Sequence, residues 1–348
     1  MINHLLYRKD LGSVCGLDLP WEKLTGKSVL ISGATGMIGA FLIDVLAEKE
    51  CEIYALGRSA EKARARFGEL MDSPRFHFIR GSIHETLQVQ DAVKLDYVIH
   101  LASNTHPVAY ATDPIGTISA NVIGTQNMLE MAAAHGCGRF VFASSNEIYG
   151  ENRGDTELFR EDYCGYIDCN TLRAGYPESK RCGEALCQAY RAQKGLDVVV
   201  ARFTRSYGPT MLMSDTKAVS QFIRKALDGE DIVLKSEGKQ YYSFTYVADA
   251  VSGLLTVLLK GKDGEAYNIA DEQSDIRLRD LAALIAGEAG KKVIFELPDS
   301  VESAGYSKAT KARLDSSKLK ELGWVSGFPI SMGISHTLRI LQDLKNNG

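Results

Sequence analysis

The sequence predicts an α/β fold: a doubly wound parallel sheet with a smaller C-terminal α/β lobe interleaved with it. Three observations carry that reading. Short β-branched runs alternate with helical patterns at the spacing of βαβ units. The runs are apolar almost throughout rather than alternating, as strands covered on both faces must be. A glycine-rich turn lies between the first run and the first helix, where a sheet of this kind meets its ligand.

In chain order, strands are expected at Ser28–Ser32, Glu52–Leu56, Phe76–Ile79, Tyr97–Leu101, Arg139–Ala143 and Val198–Phe203. Helical patterns at Ile38–Lys49, Ile118–His135 and Glu178–Lys194 fall among them. After Phe203 the rhythm changes. A Gly208-Pro209 turn leads to a helix over Thr216–Leu227, a strand near Ile232–Lys235 and a helix over Val247–Leu259. Ala266–Ala270, a helix over Leu278–Ala289 and a terminal helix near Ile330–Lys345 follow. The chain divides accordingly into an N-terminal arm (1–25), a sheet domain (26–203) and a second lobe (204–348). The arm reads as a cap on the fold without chemistry of its own.

Composition excludes several classes. The 348 residues carry 40 Lys+Arg against 44 Asp+Glu, a net charge of −4, which suits a nucleic-acid binder poorly because that affinity rests on cations neutralising phosphates. No apolar run approaches the roughly 18–20 residues of a membrane span. Arg8, Lys9 and Asp10 stand where a secretory leader would be apolar, so the expected location is cytoplasmic. The seven cysteines form no CxxC pair, and Cys164/Cys169 and Cys182/Cys187 are spaced for neither zinc nor a disulfide framework. Reduced thiols and no metal are expected.

Gly33-Ala-Thr35-Gly36-Met37-Ile38-Gly39 follows the first strand and opens a helix. Glycine there permits the tight turn, lets backbone amides approach a pyrophosphate, and lets helix and strand pack closely. The helix N-terminus brings partial positive charge to the phosphates. This predicts dinucleotide binding by a Rossmann domain. At the end of the second strand, where an NAD site usually places Asp or Glu for the ribose 2′-hydroxyl, the chain has Gly57 and then Arg58. Without the acid to repel a 2′-phosphate, and with an Arg to grip one, NADP(H) is favoured, with NAD still admitted.

Tyr176-Pro-Glu-Ser-Lys180 sets Tyr and Lys four apart on one helix face. A phenol ordinarily ionises near pH 10. A neighbouring ammonium, helped by the charge of a nicotinamide, would lower that value toward neutrality and make Tyr176 an acid/base. Ser144-Ser145-Asn146-Glu147-Ile148-Tyr149-Gly150 follows the fifth strand at the carboxyl edge of the sheet, where ligands of such folds bind.

Together with His100-Leu101-Ala102-Ser103, Asn121-Val-Ile-Gly-Thr125 and Ser206-Tyr-Gly-Pro209, these segments resemble the extended short-chain dehydrogenase/reductase family, the nucleotide-sugar epimerase/dehydratase group. The resemblance runs from about Lys27 to the C-terminus with the motifs in family order. It implies an NAD(P)-binding domain, a nucleotide-sugar-binding lobe, hydride transfer at the sugar C4 and, usually, a homodimer. By motif, Ser145 would bond the C4 oxygen, Tyr176 would be the acid/base supported by Lys180, and Glu147 would stand beside the sugar. Cofactor contacts would extend over Ser82, Ile83, Leu101, Ala102, Ser103 and Asn121. Substrate contacts would include Asn146, Phe222 and Asn104, the last in a loop after the fourth strand that continues through Thr105 and His106. His100 is expected to be structural or at the cofactor edge rather than a base.

Glu161-Asp-Tyr163, Arg173-Ala-Gly-Tyr176, Met213-Ser-Asp215, Val219-Ser-Gln-Phe222 and Phe244-Thr-Tyr-Val247 resemble the UDP-glucuronate decarboxylase branch. A 4-epimerase or a decarboxylase-like activity is therefore expected. A 4,6-dehydratase is disfavoured, because Asn146 replaces the Asp that such enzymes use as an acid. Two other departures bear on the substrate. Tyr242 stands where the family commonly has an Arg for the diphosphate, and Arg205 where it often has Asn. Arg205 is expected to restore the missing charge, with Arg313 as a weaker candidate for a phosphate or sugar carboxylate. The alternatives are an NADPH-dependent reductase of a nucleotide-linked keto-sugar or ketose and, with an intact Ser/Tyr/Lys set against it, a non-catalytic NAD(P)-sensing regulator.

Overall fold

The computed structural model describes residues 1–85, 94–105, 107–296 and 310–346. Its centre is a seven-stranded parallel sheet in the order β10-β6-β5-β4-β1-β2-β3. The strands are β1 (Ser28–Ser32), β2 (Glu52–Gly57), β3 (Phe76–Arg80), β4 (Tyr97–His100), β5 (Arg139–Ser145), β6 (Val198–Phe203) and, arriving from the second lobe, β10 (Ala266–Ile269). Helices α1 (Leu5–Cys15), α2 (Met37–Ala47), α3 (Ala60–Phe67), α4 (Pro107–Thr112), α5 (Pro114–Ala134) and α6 (Gly175–Lys194) accompany the sheet. Every residue of β1 and β6 is buried, which explains their largely apolar sequences, interrupted only by Ser28, Ser32 and Arg202.

Strand order reverses beside β1, with β2 on one side and β4 on the other. The reversal opens a crevice at the carboxyl ends of these two strands, the place where doubly wound sheets bind ligands. The glycine turn leaves β1 there, and the His100–Ser103 segment leaves β4 there.

The second lobe contributes β7 (Arg205–Tyr207), α7 (Ala218–Leu227), β8 (Ile232–Leu234), β9 (Tyr241–Tyr246), α8 (Val247–Lys260), β11 (Asp275–Arg277), α9 (Leu278–Glu288), β12 (Val293–Phe295) and β13 (Lys311–Ala312), then a terminal helix over Ile330–Asn346. β9 is the hub. It pairs with β7 and β13 in parallel and with β11 antiparallel. Because β10 returns to pair with β6, the sheet is completed by residues well after the point where the lobe begins.

The arm caps the fold from outside. The buried Tyr7 hydroxyl donates to Asp44 of α2 at 2.5 Å, and Arg66 of α3 closes on the same carboxylate at 2.8 Å. Asp10, also buried, accepts from Tyr246 at 2.7 Å and lies 2.8 Å from His336 of the terminal helix. A carboxylate this deep is tolerable only with such partners.

Candidate active site

A cavity of about 820 Å3 runs from the glycine turn to the lobe. Its cofactor end is lined by Gly33, Thr35, Gly36, Met37, Ile38, Gly39, Arg58, Ser82, Ile83, Leu101, Ala102 and Ser103. Two glycines are obligatory. Gly33 has φ +71°, and a Cβ on it would lie 2.8 Å from the Ala102 nitrogen; a Cβ on Gly39 would strike the Gly33 carbonyl. The backbone thus makes a close cradle at the head of α2, and the residues fit a dinucleotide pyrophosphate. Arg58 is exposed on the rim.

Asn121 is fully buried and is absent from the cavity wall. Its Oδ1 accepts from Ser103 at 2.7 Å and its Nδ2 donates to Ser179 at 2.9 Å, and Ser179 in turn donates to the Tyr176 carbonyl at 2.8 Å. It fastens the loop after β4 to the helix that carries Tyr176 and Lys180. His100 is likewise structural. The Ser32 hydroxyl accepts from the Ala102 N–H at 3.2 Å, which leaves its proton for His100 Nδ1 at 2.7 Å, while Nε2 faces Thr125 at 3.2 Å. Burial, with Lys180 adding to it, pushes the imidazole down to about 3, so it is neutral.

Ser145, Glu147, Tyr176 and Lys180 line the same cavity. β5 ends at Ser145, whose hydroxyl caps the following turn by accepting from the Glu147 N–H at 3.3 Å. Tyr176 and Lys180 lie one turn apart at the head of α6. Lys180 Nζ donates to the Ala143 carbonyl at 2.8 Å, and burial pushes its ammonium down to about 8. The phenol of Tyr176 stands above its ordinary value, through burial first and the Glu147 charge second; hydrogen bonds from Ser145 and Tyr110 and the charge of Arg173 oppose the rise. The sequence reading expected Lys180 to lower this phenol. Here the ammonium is committed to Ala143, and burial dominates both groups.

Of the expected substrate contacts, Asn104, Asn146, Arg205, Phe222 and Tyr242 line the cavity. Arg313 does not. Its guanidinium lies over Tyr241 at 4.5 Å and 3.8 Å from Asp275. His106 lies outside the described residues. Two residues of the site had no role in the sequence reading. Tyr110 of α4 stacks on Tyr176, with centroids 4.8 Å apart and rings 25° from parallel. Arg173 closes on Glu147 at 2.6 Å and lies 5.0 Å over the Tyr110 ring. Arg173 stood three residues before Tyr176 as a motif echo only, and nothing in the local spacing marks Tyr110.

Residues 29–270 match the NAD dependent epimerase/dehydratase family. The chain belongs to that family. It is 34% identical over 301 residues to UDP-glucuronic acid decarboxylase 3 of Arabidopsis thaliana, covering 85% of this chain and 83% of the relative. It is 31% identical over 314 residues to UDP-glucuronic acid decarboxylase 1 of Xenopus tropicalis, covering 90% and 71%. Among solved structures of the family fold, UDP-glucuronic acid 4-epimerase from Bacillus cereus, in complex with UDP-glucuronic acid and NAD, superposes with a TM-score of 0.78 at 22% identity, covering 91% and 99%. dTDP-glucose 4,6-dehydratase from Streptomyces venezuelae gives a TM-score of 0.79 at 24% identity over 92% and 98%. The family fold and the expected Rossmann architecture therefore agree, and no helix among the described residues is long and apolar enough to cross a membrane.

Proposed function

We propose that this chain oxidises a nucleotide-diphosphate sugar at C4 and returns the hydride within the same turnover, as a 4-epimerase or a uronate decarboxylase does. The observation that carries the reading is that Ser145, Tyr176 and Lys180 share one cavity with the glycine cradle. The relatives named UDP-glucuronic acid decarboxylase support a UDP-linked uronate as substrate.

Bound NAD(P) supplies the hydride acceptor and donor. Gly33, Gly36 and Gly39 would hold its pyrophosphate, and Lys180 would stand by its ribose. The residues of this chain manage the proton. Tyr176 takes it from the C4 hydroxyl, Ser145 orients that oxygen, and Ser145 and Tyr110 stabilise the phenolate by hydrogen bonding. Asn146 has no acidic proton for loss of water.

Arg58, with Gly57 before it, supports acceptance of NADP(H), and favours as a second reading an NADPH-dependent reductase of a nucleotide-linked keto-sugar. We read the chain as a cytoplasmic homodimer. Seven free cysteines support the first point. Ile115, Ile118 and Ile123, exposed on α5, support the second.

Incubating the purified protein with UDP-glucuronate, UDP-glucose and a UDP-linked 4-keto-sugar, each with NAD and with NADPH, tests the reading. Sugar product without net change in cofactor is expected, and Tyr176→Phe should lower turnover by about 10²–10⁴-fold with cofactor binding intact. Stoichiometric NADPH consumption would replace it with the reductase, and absence of product from every combination would sink both.

A further inference from the structure

At the sugar end of the cavity, positive charge exceeds what the protein itself neutralises. Arg205 leaves β7 and lies flat on Tyr242 of β9, its guanidinium carbon 3.5 Å from the ring centroid. The strands are adjacent in register, with Arg205 opposite Phe244, so the platform is set by the sheet. Its electrostatic neighbours are Tyr242, Glu147, Arg173 and Tyr110. Three of these, Glu147, Arg173 and Tyr110, also bear on the Tyr176 hydroxyl. Arg205 therefore belongs to the end of the cavity where the reacting sugar carbon must lie.

Two guanidiniums share this corner with the Glu147 carboxylate, and Arg173 already holds that carboxylate at 2.6 Å. Asp215, nearby, is paired with Lys217 at 3.0 Å. Nη1 of Arg205 and Nη1 of Arg173 are both buried and have no hydrogen-bond partner among the described residues. Buried donors left unmade are rare and costly, and two cations held near each other add repulsion. Burial and the neighbouring Arg173 both press against the charge of Arg205. An anion bound between them would relieve every one of these terms, and a carboxylate matches a guanidinium fork.

We propose that Arg205, seated on Tyr242 and seconded by Arg173, is the specificity-determining residue for an anionic group on the sugar ring, a carboxylate, rather than for the diphosphate. The proposal rests on the nucleotide-sugar reading above and assigns the group that selects a sugar acid within it.

The test is calorimetric titration of the NAD-loaded protein with UDP-glucuronate, UDP-glucose and UDP. Wild type should bind UDP-glucuronate more tightly than UDP-glucose. Arg205→Met should weaken UDP-glucuronate by about 10–100-fold and leave UDP-glucose and UDP within about 2-fold. Arg205→Lys, which keeps the charge and loses the fork, should recover part of the loss, and it carries the same comparison if the Met variant does not fold. Equal weakening of all three ligands would place Arg205 on the diphosphate and overturn the proposal. No weakening of any, or no wild-type preference for the uronate, would overturn it as well. If wild type binds UDP and UDP-glucose but not UDP-glucuronate, only this inference fails; if it binds none of the three, the nucleotide-sugar reading fails and this falls with it.

Discussion

The cofactor end and the sugar end of one cavity are built on opposite principles. At the cofactor end the wall is built around a glycine turn that brings backbone close: the turn after β1, the head of α2 and the start of the loop after β4. At the sugar end it is side chain. Tyr110 comes from α4, Glu147 from the turn after β5, Arg173 from the approach to α6, Arg205 from β7 and Tyr242 from β9. Backbone recognition works by the absence of side chains at fixed spacing, so its residues are contiguous. Charge recognition works by bringing side chains together, so its residues can come from anywhere. One end can be rebuilt by evolution without disturbing the other.

The sharpest way to break that contrast is to put a side chain into the cradle. Gly33→Ala asks an L-residue to hold φ +71° with its Cβ 2.8 Å from the Ala102 nitrogen. Strain of about 1–3 kcal/mol is expected, and the turn must shift from the position that meets the pyrophosphate. Dinucleotide affinity should fall by about 100-fold or more, while UDP affinity measured by calorimetry stays the same. A matching fall in UDP affinity would show that the two ends are one mechanical unit.

Beneath the cofactor end lies a polar group with a pH signature. His100 is neutral when folded, its imidazole held at about 3 by burial, while the unfolded chain takes up a proton near 6.5. Between these values the unfolded state binds more protons. The contribution is therefore complete above about pH 6.5 and is lost as pH falls toward 3, by up to about 1.4 kcal/mol per pH unit. His100→Gln can offer both Ser32 and Thr125 a partner without titrating. Its melting temperature should fall less steeply than wild type between pH 7 and pH 5, even if it starts lower. Parallel curves would mean that another group dominates acid sensitivity.

The same contrast governs what could be read from the residues alone. β1 and β6 have the bounds expected from their runs, because a strand buried on both faces leaves a largely apolar stretch. α5 begins at Pro114, not Ile118, and the signals were there: Asp113 accepts from the Gly116 N–H at 3.0 Å, and Pro114 sits in the first turn. Ala266–Ile269 reads as a strand, yet its partner β6 lies more than sixty residues earlier, and no local pattern names that partner. The cradle was legible in full because seven consecutive residues contain it. Tyr110 and Arg173 were not, because their importance comes from stacking on Tyr176 and pairing with Glu147, contacts that only the fold creates.

Tyr110 offers a finer probe of the side-chain end. Its hydroxyl bears on the Tyr176 phenol and opposes the rise that burial causes, so Tyr110→Phe keeps the stacked ring and removes only that hydrogen-bonding group. The Tyr176 phenol should become harder to ionise. We expect kcat about 10-fold lower at neutral pH, a shift of the rate profile toward alkaline pH, and little change in KM, since the bond serves the phenolate and not the ground-state sugar. A loss in KM alone would make Tyr110 a substrate contact instead.

The smallest expected effect tests an exception to the contrast. Arg58 is the basic side chain assigned to the 2′ position at the cofactor end, and it is exposed, so its interaction with a 2′-phosphate is screened by water and salt. Arg58→Ala should weaken NADP(H) by about 5–10-fold at low ionic strength, leave NAD within about 2-fold, and show a difference that shrinks as salt is added. That outcome would make cofactor choice a surface charge effect laid over a backbone site. If NAD weakens as much as NADP, Arg58 is a contact common to both dinucleotides, and preference must arise from the missing acid at Gly57. Replacing Gly57 by Asp would then restore an NAD preference only if its side chain can stand beside Phe78, whose ring lies 3.2 Å from where the new Cβ would be. Under the NADP(H) proposal, that narrow clearance would favour control of cofactor choice from Arg58, one residue farther out on the rim.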